Sequence, residues 1–307
     1  MKRDFLSCAD FSAYEIYKVI NDALILKQLS GTSKTPRILE GKHAALLFRK
    51  PSLRTRASFE VGIRQLGGQT LFFSEAEVGM GKRESVHDVA KVLSRFFDLI
   101  VIRTFSHEEL VEFAGYATVP VINALTDLLH PCQIMGDVMT IHEKKGKIDE
   151  ISIAFVGDGG NNIANSWVNI ASRVPLDLRI GTIPERTPNE EILERAKEAG
   201  ISKITITFDP VEAVNGVDVI YTDVWASMGE KEKIAEREAK LRPFQVNKKL
   251  LSHAKDDVIV MHCLPAERGR EITDEVMDGP HSVVFDQAEN RLHIQKSIIF
   301  HLFGKSL

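Results

Sequence analysis

The sequence predicts an α/β protein built from two doubly wound parallel-sheet domains. Short apolar runs alternate with stretches of helical period from one end to the other, the pattern of strand–helix–strand units. Most of the runs are apolar without interruption instead of alternating with polar residues, as strands covered on both faces must be. The 307 residues suffice for two domains at about 100–200 residues each.

The strands are expected, in order, at Ala44–Phe48, Gln69–Phe73, Leu99–Arg103 and Val119–Asn123, and then at Ser152–Val156, Leu178–Thr182, Lys203–Thr207, Asp218–Thr222 and Val258–His262. Between the two groups, His130–Lys147 carries Ile134, Val138 and Ile141 at i, i+4 and i+7, with Pro131 suited to a first turn. It reads as a helix joining the domains. Asn290–Phe303 is also helical in pattern. The expected division is residues 1–134 with 290–307 against 135–289.

Composition excludes several classes. Hydrophobic residues make up 44% and charged residues 27%, so disorder is not expected. A net charge of −4 provides no basic field for nucleic acid or an anionic membrane. Cys8, Cys132 and Cys263 are too scattered for a disulfide framework or a zinc cluster, which favours a reducing cytoplasm. No apolar run reaches the ~18–20 residues that cross a bilayer, and Asp4 interrupts the N-terminus before any signal-like core.

Seven short segments carry the chemistry. Ser52-Leu53-Arg54-Thr55-Arg56 follows a strand and opens a helix; Ser52 is a natural N-cap, and a helix start with a guanidinium beside it seats phosphate well. By itself it is more often a capped, solvated basic turn. Arg103 ends an apolar strand, where clefts form, although such an Arg is usually just surface. His130-Pro131-Cys132-Gln133 places a His and a Gln one turn apart at a helix start, able to bind a small carbonyl or amide or simply to cap that helix; Cys132 packs.

Gly157-Asp158-Gly159-Gly160-Asn161-Asn162 lies between strand and helix, but Asn162 stands where a dinucleotide fingerprint needs Gly, and no acidic residue ends the next strand. The two Asn residues suggest a polar group bound at the helix start. Asp223-Val224-Trp225-Ala226-Ser227-Met228-Gly229 is a long loop after a strand, read as a lid in preference to a solvated loop. His262-Cys263-Leu264-Pro265 displays a thiol at another strand end, with a purely structural thiol as the bland reading. Arg291 opens the last helix. Ser52, Arg103 and His130 in one half, and Asn162, Asp223 and Cys263 in the other, all lie past strand ends, which implies one active-site cleft between the two domains.

Taken together, Ser52-x-Arg54-Thr55-Arg56, His130-Pro131-x-Gln133 and His262-Cys263-Leu264-Pro265 resemble the aspartate/ornithine carbamoyltransferase superfamily, and Asp223 with Ser227-Met228-Gly229 resembles its ornithine branch. The resemblance covers the whole chain. It implies that Ser52, the Leu53 backbone, Arg54, Thr55 and Arg103 hold the phosphate of carbamoyl phosphate. It implies that Thr55, Arg103, His130 and Gln133 polarise the carbonyl. Cys263, the Leu264 backbone and Arg291 would line the carbamoyl amide, and Asn162, Asp223, Ser227 and Met228 would bind the α-groups of L-ornithine. It further implies a homotrimer or a multiple of trimers, with no cofactor and no metal.

Three positions depart from the family pattern: Leu53 replaces a Thr, Gly79 replaces a Gln or His contributed across subunits, with Lys82 as a substitute, and Glu267 replaces a His. The rivals are a carbamoyltransferase for N-acylornithine, putrescine or aspartate, a nicotinamide-dependent dehydrogenase, and a non-catalytic amino-acid-binding protein.

Overall fold

The computed structural model describes residues 2–225 and 234–307. The chain divides into two compact units, residues 1–139 with 289–307 and residues 140–288.

In the first unit, β1 (His43–Phe48), β2 (Gln69–Ser74), β3 (Leu99–Arg103) and β4 (Val121–Leu125) form a wholly parallel sheet in the order β2-β1-β3-β4. β1, β3 and β4 are buried almost throughout, whereas the edge strand β2 is partly open. Ala45, Leu47, Ile100 and Ile102 pack on Val89, Ala90, Leu93, Leu110 and Phe113 of the helices Val86–Phe96 and His107–Tyr116. The other edge, β4, is covered by Phe5, whose N–H donates to the Val121 carbonyl and whose carbonyl accepts from Asn123 N–H.

In the second unit, β5 (Ile151–Val156), β6 (Leu176–Gly181), β7 (Lys203–Thr207), β8 (Val219–Thr222) and β9 (Ile259–His262) form another parallel sheet in the order β7-β6-β5-β8-β9. Val156, Ile220 and Val260 pack with Val214, Leu241, Phe244 and Ile272.

Each sheet reverses direction once. The chain leaves β1 for β2 and returns to the other side of β1 as β3; it leaves β5 for β6 and β7 and returns beside β5 as β8. Diverging connections leave a crevice at the carboxyl ends of the two central strands, where ligands bind in open α/β sheets. Phe48 pairs with Arg103 at one such point, and Val156 and Thr222 flank the other, the Thr222 hydroxyl donating to the Val156 carbonyl at 2.8 Å.

Both sheets are as the sequence predicts, with local shifts of boundary. β4 starts two residues later than expected because Pro120 has no N–H to donate, although its carbonyl accepts from Ile100. β6 starts two residues earlier, at Leu176. The helix expected over 130–147 runs Pro131–Lys145, and the last helix begins earlier than expected and runs Val284–Leu302.

Candidate active site

The first unit collects a cationic group at its crevice. Ser52 caps the helix Leu53–Gln65, its hydroxyl accepting the Thr55 N–H at 3.2 Å. Leu53 projects outward, 80% exposed, so only its backbone belongs to the turn. Arg54 is half-buried and makes no hydrogen bond or ion pair with any described residue, an uncommitted cation beside a helix N-terminus.

Arg291, on the last helix, reaches back to the same place. Its guanidinium donates to the Gln133 amide oxygen and, at 3.3 Å, to the Thr55 hydroxyl. The Gln133 amide nitrogen donates to the buried Asp137 at 2.8 Å. The Gln133 amide is thus held at both ends, with a single remaining N–H for a ligand.

His130 precedes that helix and is buried. Burial, and then the charges of Arg291 and Arg103, hold its pKa well below the ordinary histidine value. It is a neutral imidazole, suited to donating one hydrogen bond without adding a charge. Cys132 is buried and donates to the Asn123 carbonyl at 3.3 Å, its pKa pushed up to about 12 by burial; it packs and does not react.

The second unit presents a different chemistry. Asp223, just past β8, is 8% exposed. One carboxylate oxygen accepts from the Cys263 thiol at 3.0 Å and from Val224 N–H at 2.8 Å; the other accepts from the Asn161 amide at 3.1 Å. Burial raises its pKa from the ordinary aspartate value, against the lowering effects of His262, the Cys263 thiol and the Val224 N–H. A carboxylate in this setting binds a cation strongly and accepts a proton readily.

Asn161, not Asn162, caps the helix Asn162–Ile170, its side-chain oxygen accepting the Ala164 N–H at 2.8 Å. Its one side chain thus caps a helix and orients Asp223. Asn162 is the first residue of the helix, at the positive end of its dipole, which suits a carboxylate. Gly157 approaches this point at φ +130°, and a Cβ there would lie 3.1 Å from the Trp225 indole nitrogen, so only Gly brings the turn this close.

His262 lies beneath the thiol loop. Its Nδ1 accepts the Leu264 N–H at 2.9 Å, and its Nε2 pairs with Glu271 at 3.0 Å, both side chains fully buried. The first contact leaves the ring hydrogen on Nε2. Leu264 is held in the left-handed region at φ +57° and precedes a cis Leu264–Pro265 bond. Gln287 accepts the His262 backbone N–H and donates to the Tyr221 hydroxyl, tying β9 to β8 under the site. Asp223, His262 and Cys263 bring ligand-type atoms within 4.8 Å of one another. Both ring nitrogens of His262 are already engaged, so these three are not a ready metal-ligand set.

Two family models match the chain in tandem: the carbamoyl-P binding domain of aspartate/ornithine carbamoyltransferase over residues 3–143, and its Asp/Orn binding domain over residues 149–302. The chain belongs to the aspartate/ornithine carbamoyltransferase family.

Among relatives of this family, an ornithine carbamoyltransferase of Syntrophus aciditrophicus is 50% identical over 301 residues, 97% of this chain and 99% of that one. The solved ornithine carbamoyltransferase of Pyrococcus furiosus superposes with a TM-score of 0.93 at 46% identity, covering 97% of this chain and 96% of that one. The anabolic ornithine carbamoyltransferase of Campylobacter jejuni gives 0.93 at 36% identity, with 99% of each chain covered.

The departures from the carbamoyltransferase pattern have local reasons. Gly79 ends the short helix Glu75–Val78 at φ +61°, where a Cβ would lie 3.0 Å from that of Arg83; the turn itself asks for glycine. Lys82 pairs with Glu75 at 3.3 Å and is largely exposed. The Glu267 side chain pairs with Arg270, and its N–H donates to Glu271.

Ser227 and Met228 lie outside the described residues. Glu271 and Asp137 are supporting residues that the motifs do not contain, and Asn161 appears in them only as one of two Asn residues at a helix start. Asn161 carries the signal of an N-cap, while Glu271 and Asp137 are recognisable only through the contacts of the fold.

Proposed function

We propose that this chain is an ornithine carbamoyltransferase, moving the carbamoyl group of carbamoyl phosphate to the δ-amine of L-ornithine to give L-citrulline and phosphate in the direction that serves arginine biosynthesis. The observation that carries this reading is full-length likeness, near half identity, to proteins of that name. The neutral His130 beside Arg103 and Arg291, and the buried Asp223–Cys263 pair, agree with it.

In this reading Ser52, the Leu53 backbone, Arg54, Thr55 and Arg103 receive the phosphate dianion, which gains most from helix N–H groups and bidentate guanidinium contacts. Thr55, Arg103, His130 and Gln133 face the carbamoyl oxygen. A donor aimed at that oxygen stabilises the charge developing on it by about 3 kcal/mol. Arg291, Cys263 and the Leu264 backbone line the carbamoyl amide. Asp223 takes the α-ammonium of ornithine, and Asn162, with Ser227 and Met228, takes the α-carboxylate.

The attacking δ-amine must be neutral, although a free alkylamine has a pKa of about 10.4. Its lone pair forms the new C–N bond, the C–O bond to phosphate breaks with its electron pair leaving on phosphate, and the amine proton passes to that phosphate oxygen. The residues present supply binding, orientation and oxyanion stabilisation for this step, with no covalent intermediate on the protein.

Purified protein given carbamoyl phosphate with ornithine, putrescine, aspartate or N-acetylornithine is expected to form product with ornithine above all the others. Preferred turnover of another amine would transfer the assignment to that carbamoyltransferase, and no product at all would leave a binding protein.

The trimer implied by the family pattern is part of the same proposal. Light scattering is expected to give a mass that is a multiple of three chains, and a fully active monomer would refute it. None of the three cysteines is in a disulfide, as suits a reducing cytoplasm, and no described helix is long and apolar enough to cross a membrane.

A further inference from the structure

Asp158 is 3% exposed in the turn that leads from β5 into the helix capped by Asn161. Arg186, in the 3-10 turn Pro184–Arg186 after β6, grips it with a two-pronged contact, Nε to one oxygen at 2.6 Å and a terminal nitrogen to the other at 2.8 Å. The first oxygen also accepts the Gly160 N–H at 3.1 Å. Arg237 approaches the second at 3.9 Å.

The backbone of Arg186 closes on the same turn. Its carbonyl accepts the Thr182 hydroxyl at 3.0 Å, and that hydroxyl oxygen accepts the Gly159 N–H at 3.0 Å. A Cβ on Gly159 would lie 2.7 Å from the Arg186 carbonyl oxygen, and one on Gly160 would lie 3.3 Å from the guanidinium carbon. The two glycines therefore let Arg186 wrap the turn with main chain and side chain together. Directly beyond this clamp stand Asn161, which orients Asp223, and Asn162.

We propose that Asp158 and Arg186 form a positioning pair for the acceptor substrate, setting its affinity through the Asn161–Asn162 turn without touching it. This rests on the ornithine reading above. A planar fork on a carboxylate fixes orientation as well as distance. The buried Asp158 carries that constraint to the peptide N–H next to the cap. The donor-binding residues Ser52, Arg54 and Arg103 belong to the first compact unit and this network to the second, so the effect should be confined to the acceptor.

The test is steady-state kinetics of Arg186→Gln, Arg186→Lys and Asp158→Asn, with each substrate varied separately. Arg186→Gln is expected to raise the KM for ornithine about ten-fold or more. Its kcat and its KM for carbamoyl phosphate should stay within about two-fold of the parent, and Arg186→Lys should recover part of the loss.

An unchanged ornithine KM in Arg186→Gln, an equal rise in both KM values, or a loss of kcat alone would each overturn the proposal, the last marking only a smaller active fraction. If Asp158→Asn does not fold, the two Arg186 variants carry the test, since that side chain is 30% exposed. A parent enzyme that makes no citrulline would refute the functional reading instead, whereas an active parent with indifferent variants refutes only the pair.

Discussion

Asp223→Asn is expected to cut kcat/KM for ornithine by about 10- to 150-fold while leaving carbamoyl phosphate affinity nearly intact. The carboxylate is the simplest partner for an α-ammonium, and losing one charged hydrogen bond costs roughly 1.5–3 kcal/mol. The loss can exceed this range, because the same carboxylate receives the Cys263 thiol and the Asn161 amide and an Asn side chain cannot accept at both ends. Initial rates with each substrate varied, together with calorimetry of carbamoyl phosphate, check it. Full ornithine turnover by the variant would remove Asp223 from the acceptor site.

The same residue predicts a pH effect. Burial raises the Asp223 pKa, so its charge is present above that raised value and is lost, as pH falls, sooner than for an ordinary carboxylate. Affinity for ornithine should weaken on the acid side with it, and Asp223→Asn should flatten that limb. His130 should add no limb near neutrality, since its pKa lies well below the usual value. A neutral-range limb that disappears in His130→Ala would contradict this.

Arg54→Ala is expected to weaken carbamoyl phosphate binding by about 10²- to 10⁴-fold, the loss of two charge-assisted contacts to a dianion at roughly 1.5–3 kcal/mol each. The side chain has no hydrogen bond or ion pair among the described residues, so little folding stability should be lost with it, and an unchanged thermal midpoint would separate binding from folding. Arg54→Lys should recover only part, because an ammonium keeps the charge and loses the fork. Calorimetry showing parental affinity in Arg54→Ala would remove this residue from the phosphate site.

Much of this site is legible in local sequence, because its residues sit at punctuated positions. Ser52 is a cap, Arg103 ends an apolar strand, Asp223 and Cys263 follow others, and each strand end is marked by a change from apolar to polar residues. Such positions are set by short-range chemistry: caps, strand length and the burial of apolar runs. The roles of neighbouring residues are not set locally. Asn161 and Asn162 are equal as letters, and only the backbone turn at the helix start makes one the cap that reaches Asp223 and the other the first helical residue.

Elsewhere the deciding contacts join residues far apart in the chain. Arg291 meets Gln133 and Thr55 across sequence separations of 158 and 236 residues, and Cys263 meets Asp223 across 40. Nothing local in Glu271 or Asp137 marks it as a partner of His262 or Gln133. Two α/β domains, their strands and the types of residue at the strand ends follow from periodicity and capping, which act within a few residues. Strand order, the side on which each sheet reverses, and the pairing of buried polar groups follow from parallel registers such as Thr222 beside His262. These form only when distant segments pack and every buried donor must find an acceptor.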